Sequence, residues 1–358
     1  VAATALGDHR ADDRLDDVDA AARARIRDTF LDYRETLAGI DRDELSRANQ
    51  VDAAILHNEI ESSLFELDTL EEWAWNPLYY VRLSGNAIYG LLSRDFAPLD
   101  ERLDNAASRL EQLPRFFTQA RGALQPERVP KIHAETAVRQ NRGLESIIDA
   151  MIVPQLAELP PETRERLEAA IETARSAIAG QQAWLEDELL PRANGDFRIG
   201  AELYDRKLAF ALNSSLTRRE IRTLAEREYE LVRSEMYEIA KQVYVGINPY
   251  TAFPDNPDEA YKQAIIRAAL EVAYQELPPR DGIVDIARQY LQQASDFVVA
   301  KNIVTMPEEP VEIIVMPEFQ RGIALAYLSP PGPLDKDQKA FYAVAPLPAD
   351  WTDAQVGS

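Results

Sequence analysis

The sequence predicts a mainly α-helical protein, a large multi-helix body with a small β-sheet near its C-terminal end. Upstream of about residue 300, apolar residues recur at three- and four-residue steps, the period of a one-sided helix. Those stretches are bounded by capping residues, prolines and glycines placed where helices start and stop. The passage from Val311 to Pro333 breaks the pattern. There a β-branched run, Val311-Glu312-Ile313-Ile314-Val315, meets a Met316-Pro317-Glu318-Phe319 corner. A second run, Gly322 to Leu328, ends at Ser329-Pro330-Pro331-Gly332-Pro333. Two strands of an antiparallel or mixed sheet are expected, with the prolines as their boundaries.

Residues 1 to 18 are rich in aspartate (Asp8, Asp12, Asp13, Asp16, Asp17) and read as an exposed lead-in segment. The helical signal starts at Ala20, with Ile26, Phe30, Tyr33 and Leu37 on one stripe and Gly39 as a stop. Asp41 with Glu44 resembles a cap for a long helix through Ile55, Ile60, Leu64 and Leu67. The aromatic stretch Trp73 to Tyr80 turns at Asn76-Pro77, which ends one helix and starts the next. It reads as a packed corner rather than a ligand site. Further helices are expected from Pro98, from Val129 to Met151, and from Pro160-Pro161 to about Pro191. Another runs from Thr217 (with Glu220 as a capping box) to about Val245, and one from Asn256-Pro257-Asp258-Glu259. The last spans Gly282 to Ala300. The body is thus assigned to residues 1–300, with a possible joint near 246–258, and the sheet segment to residues 301–358.

The chain has 39 basic and 61 acidic side chains, a formal charge of −22. That balance argues against nucleic acid as a partner, because a basic face supplies most of that attraction. No window has the roughly 18 apolar residues of a membrane span. The absence of cysteine removes disulfides, thiolate metal sites and cysteine nucleophiles.

Candidate chemistry is sparse. His57 and Glu61 share a helix face and could in principle ligate one metal, but no third ligand is apparent. A partly buried histidine bonded to its neighbour is the plainer reading. His133 and Glu135, two apart, point to opposite sides, and His9 has no evident partner. Glu226, Glu228, Glu230, Glu235 and Glu238, interleaved with Arg222, Arg227, Arg233 and Lys241, read as a solvated face laced with ion pairs. The segment 322–328 differs in kind. As a strand it would place Ile323, Leu325 and Tyr327 on one face and Gly322, Ala324 and Ala326 on the other. Local pattern favours small side chains packed beneath a helix. The alternative is an open edge to which an extended peptide adds.

Several blocks together resemble one bacterial family, DUF885. They are Asn76-Pro77-Leu78 with Tyr80, Ser93 to Leu99 with Arg102, and Arg109-Leu110. Glu135-Thr136-Ala137, Trp184-Leu185, Phe197 to Gly200 and Glu235-Met236 follow, then Val315 to Gly322, Ala326-Tyr327, Pro330 to Leu334, Phe341-Tyr342 and Asp350-Trp351-Thr352. The family is similar to zinc metallopeptidases of the gluzincin type, helical with a small sheet beside a deep cleft. The resemblance therefore implies peptide hydrolysis by metal-activated water, with zinc as cofactor and a peptide as substrate. It also implies an extracytoplasmic setting (periplasmic or secreted, with lipoprotein precursors), cytoplasmic being the alternative. Together with the strand geometry, it suggests Arg321, Gly322, Ala324, Ala326 and Tyr327 as substrate contacts. The family's H-E-x-x-P-G-H zinc helix follows the block matching Asp350-Trp351-Thr352, and no such spacing occurs before Val356-Gly357-Ser358. No metal ligand or catalytic residue carries over to this chain. The expectation is the cleft-forming part of a longer zinc-dependent peptidase, inactive by itself. A non-catalytic helical binding or scaffold protein is the alternative.

Overall fold

Asn76 and Pro77 start a helix for the reasons their chemistry supplies. Asn76 accepts from the Leu78 N–H at 3.2 Å, and Pro77 occupies the first helical position, where no N–H is needed. In the computed structural model, which describes residues 1–274, 282–307, 309–348 and 351–352, most expected helices form near their expected bounds. They are α1 (Ala20–Ala38), α2 (Arg47–Phe65), α3 (Pro77–Leu92), α4 (Leu99–Ala123) and α5 (Lys131–Ile147). There follow α6 (Pro161–Trp184), α7 (Ala201–Leu212), α8 (Arg218–Ile247), α9 (Glu259–Ala273) and α10 (Ile283–Lys301). The expected features at Asp350 and Val356–Ser358 lie outside the described residues.

Two caps differ from expectation. Asp41 accepts from Asp43 N–H at 3.0 Å and starts only a single turn; α2 is capped by Ser46, which accepts from Asn49 N–H at 3.2 Å. At α9 the cap is Asp258, with Pro257 before it rather than in the first turn. Thr217 and Glu220 do form the reciprocal capping box of α8.

The chain divides into two units. The first comprises Val1–Leu203 and Ala287–Ala345, the second Tyr204–Ile286 and Pro346–Ser358. In the second, α8 and α9 pack around Tyr237, Ala240, Ile265 and Ile266, with Phe253 from their connection against Tyr244. Its acidic face is ion-paired at the surface, as Arg222 with Glu226 and Lys241 with Glu238. Exposed pairs of this kind stabilise little.

In the first unit, α3, α4, α5 and α6 enclose one core containing Leu91, Leu103, Leu110, Phe116, Ile148, Leu167 and Leu185. The tryptophan corner is structural, as expected. Trp73 and Trp75 donate to the carbonyls of Leu67 and Leu70, and the Tyr80 hydroxyl donates to Trp73 C=O at 2.6 Å.

The lead-in segment is docked on the body rather than wholly exposed. Leu15 and Val18 join the core, and Asp12 is buried beside the fully buried Arg109, with Thr4 Oγ1 donating to Asp12 at 2.6 Å. Aspartate-rich composition suggested solvent; a buried arginine reached from α4 is what holds Asp12 inside.

The sheet has three strands, β1 (Val311–Val315), β2 (Ala326–Ser329) and β3 (Ala340–Val344), in the order β1-β3-β2. It is mixed: β3 runs parallel to β1 and antiparallel to β2. The central strand, β3, is the one that the pattern-based reading passed over. The strand expected over 322–328 is shorter than predicted. Gly322 has φ +91° and turns the chain, so β2 begins only at Ala326, just after the Leu325 carbonyl joins the ladder, and the side chains of both Ile323 (70% exposed) and Leu325 (55%) face solvent. No face of Gly322, Ala324 and Ala326 exists, because the first two precede the strand.

What fixes the sheet to the helices is the Pro317-Glu318-Phe319 corner. Phe319 is buried in the helical core, and Gly85 of α3 and Gly143 of α5 are the seats it needs. A Cβ at Gly85 would lie 2.2 Å from the Phe319 ring, and one at Gly143 2.6 Å from the Phe319 nitrogen. Ser146 donates to Glu318 and Gln140 donates to Arg321 C=O, both from α5. Burying a phenylalanine side chain contributes about 1.5–3 kcal/mol, enough to define where the sheet sits.

Candidate functional site

β2 is an edge strand, and its geometry follows from the register. Ala345 N–H donates to Leu325 C=O at 2.7 Å, which makes Leu325 opposite Ala345 a hydrogen-bonded pair. With a two-residue period, Tyr327 opposite Ala343 and Ser329 opposite Phe341 are of the same kind. Ala326 and Leu328 therefore direct their N–H and C=O groups away from β3.

Beside this edge is a cavity of about 460 Å³, walled by β2, the turn after it, α3 and the lead-in segment. One stripe of α3 and its C-cap supplies Asn86, Tyr89 and, at the cap, Ser93, at the three- and seven-residue steps that share a helix face. The Tyr327 hydroxyl donates to Gln320 Oε1, and Gln320 Nε2 donates to Asn86 Oδ1 at 3.2 Å. The Tyr327 phenol is pushed up to about 12, chiefly by burial and secondly by the nearby Tyr89, with the bond to Gln320 opposing both. Tyr89 is likewise raised by burial, with Arg94 pulling it down. These influences place Tyr89 in electrostatic reach of both Arg94 and Tyr327.

Arg94 is the cation of the cavity. Its guanidinium donates to the carbonyls of Lys339, Ser329 (3.0 Å) and Pro330 (3.2 Å), and it lies 4.4 Å over the Phe341 ring. Burial lowers its pKa, while Asp335 acts to raise it. The loop carrying Arg94 is held by Arg102, which donates to Arg94 C=O at 2.8 Å, to Ala97 C=O and to Asp95.

The lead-in segment closes the other side. His9 stacks on Phe96 with centroids 3.7 Å apart, and its ring nitrogens meet Asp12 at 2.8 Å and Asp335 at 3.2 Å. Gly332 approaches Leu6 and Gly7 so closely that a Cβ would lie 2.4 Å from Leu6 backbone. His9 thus has two partners that its sequence context hid.

The proposed contact residues separate. Tyr327 lines the cavity and Ala326 lies on the free edge. Gly322 and Ala324 are in the exposed turn before β2, and Arg321 donates through Nε to Met316 C=O at 3.0 Å, which braces the corner. Asn86, Tyr89, Ser93, Arg94, His9 and Asp335 were not anticipated. Ser93 and Arg94 do stand in one of the resembling blocks, which was the available signal.

A zinc ion does not fit the side chains present. Among the described residues no three His, Asp or Glu groups gather to hold one. His57 is exposed on α2 and Glu61 pairs instead with Arg34 at 3.6 Å, so the expected bonded pair does not form. His133 stacks with Trp75 at 5.9 Å, away from Glu135. Among the described residues no helix is long and apolar enough to cross a membrane.

A helical body with a small mixed sheet pinned to it, and a donor-lined cavity at the sheet's free edge, defines the class. The chain belongs to DUF885, described as bacterial protein of unknown function, whose family model matches residues 1–356. A solved structure from Shewanella oneidensis, described as a "putative lipoprotein of unknown function", is 26% identical with a TM-score of 0.72; the match covers 99% of this chain and 63% of that one. A "putative lipoprotein" from Colwellia psychrerythraea has a TM-score of 0.64 at 14% identity, over 99% of this chain and 65% of that one, and shows the fold alone. The chain thus spans under two thirds of the length of both. Among curated proteins none matches.

Proposed function

We propose that the first unit forms one wall of a peptide-binding cleft, an extended peptide adding to the free edge of β2, in a zinc-dependent peptidase of the bacterial envelope. The observation that carries this is the outward direction of the Ala326 and Leu328 main-chain groups beside the cavity. Strand addition draws its affinity from such groups and its selectivity from neighbouring pockets. In this reading the chain's own residues bind and orient substrate and take no part in metal chemistry. The lipoprotein description of the Shewanella oneidensis structure supports the extracytoplasmic setting. A non-catalytic binding or scaffold protein is the second reading, for which the same strand edge and cavity would serve.

The test is binding of a labelled extended peptide to this chain, against the same peptide N-methylated at alternate residues. Losing two edge hydrogen bonds should weaken binding roughly tenfold or more. Ala326→Trp should weaken it as well, by obstructing approach to the edge. Equal affinity for methylated and unmethylated peptides would refute strand addition. Chelator-sensitive peptide hydrolysis by these residues alone would overturn the assignment of binding without chemistry.

A further inference from the structure

We infer that the cavity beside β2 is a carboxylate-binding site. The inference rests on the peptide reading for the carrier of that carboxylate, though not for the carboxylate itself. The cavity's lining has unfilled hydrogen-bonding capacity. Among the described residues, the Tyr89 and Ser93 hydroxyls and the Asn86 side-chain NH₂ have no hydrogen-bond partner in the protein. All three can donate. Arg94 supplies the charge, and its hydrogen-bond partners are neutral carbonyls. The cavity's acceptors are engaged: Asp335 takes His9 on one oxygen and Gly332 N–H on the other, and Gln320 Oε1 takes Tyr327.

What remains is a donor-rich hollow beside the Arg94 guanidinium, with the Asp335 carboxylate in the lining bonded to His9 and the Gly332 N–H. A complementary ligand presents acceptors and a negative charge, and is compact enough for about 460 Å³ shared with the strand edge. A carboxylate meets all three conditions, and a charge-assisted bond to it is stronger than a neutral one. Two sources have that chemistry: the C-terminal carboxylate of a bound peptide, and an acidic side chain within it. β2 supplies both the outward groups of Ala326 and Leu328 and part of the cavity's wall, which lets one peptide engage both.

The experiment compares one peptide as free acid and as C-terminal amide, a third amidated peptide ending in glutamate, and acetate alone by thermal shift at matched ionic strength. The variants are Tyr89→Phe and Ser93→Ala, each losing one unpartnered hydroxyl; phenylalanine keeps the ring that packs 6.0 Å from Phe319. Arg94 is unsuitable, because it also ties β2 and the following turn to Lys339. The free acid should bind roughly tenfold tighter than the amide, and the double variant, which keeps the Arg94 charge but loses two donors that bond a carboxylate more strongly than an amide, should narrow that difference by roughly threefold or more. Recovery of affinity by the glutamate peptide assigns the site to acidic side chains instead of the terminus. Equal affinity for acid, amide and glutamate peptide overturns the inference and leaves strand addition standing. Stabilisation by acetate that the double variant loses, with no peptide bound, retains the carboxylate site and removes strand addition.

Discussion

Replacing Gly85 by alanine should destabilise the first unit, although alanine is the better helix former. In a helix interior, glycine to alanine gains about 0.5–1 kcal/mol from backbone entropy alone. At Gly85 the new methyl would lie 2.2 Å from Cδ2 and 2.3 Å from Cε2 of Phe319. Both atoms belong to a rigid ring that is 1% exposed, so neither a rotamer change nor solvent offers relief. Forcing a methyl into a packed core costs about 1–3 kcal/mol, and here the corner carrying the sheet must shift as well. The net expectation is a loss of about 1–2 kcal/mol. Gly122 in α4 is the control, since nothing lies within 4 Å of its Cβ position; Gly122→Ala should stabilise by a few tenths to about 1 kcal/mol. Urea unfolding followed by tryptophan fluorescence suits the comparison, because Trp73, Trp75 and Trp184 all belong to the first unit. Phe319→Leu should recover part of the loss in the Gly85→Ala background while destabilising the parent. If Gly85→Ala stabilises as much as Gly122→Ala, the corner is not seated on α3 as described.

Asp12→Ala should cost about 3–5 kcal/mol in the same assay, because it leaves Arg109, with no exposed surface, without its charge partner; a loss below about 1 kcal/mol would show that the lead-in segment is not docked there. His133 gives a pH dependence. Burial lowers its pKa from the ordinary 6.5, with Glu72 opposing, so the unfolded chain binds its proton first as pH falls. Stability should therefore rise with pH through the window below 6.5, and His133→Gln should flatten that slope in unfolding curves taken from pH 5 to 7. An unchanged slope would place the dependence elsewhere.

Local chemistry made most helices legible. Asn76-Pro77, Pro160-Pro161 and Thr217 with Glu220 act within a few residues, and each starts a helix where expected. The Pro317-Glu318-Phe319 corner was legible as a turn, but not as a plug. That required Gly85 and Gly143, whose lack of a side chain carries no pattern until Phe319 is beside them. β3 escaped for a related reason. Its run Ala340 to Val344 is short, and its pairing with β1 is parallel and about thirty residues away in sequence. In the site, Tyr327 was anticipated because it lies in the strand. Arg94 and Tyr89 were not, since only α3 packing near β2 brings them to it. Asp12 and His9 looked solvated for want of Arg109 and Asp335, their distant partners.

The close approach of Gly7 and Gly332 has a consequence for the order of folding. Each lacks a side chain where the other's strand of backbone passes, so the contact admits little substitution and joins positions 325 residues apart. The second unit lies almost wholly between them in sequence and has its own core, so it can assemble on local information. The cavity's walls cannot, because its lead-in side must wait for residues near 332 to emerge. Closing so long a loop adds only about 0.6 kcal/mol per doubling of length, but contacts this remote slow folding markedly. The nascent first unit is therefore expected to hold its helical core early while its binding face remains open until the sheet arrives.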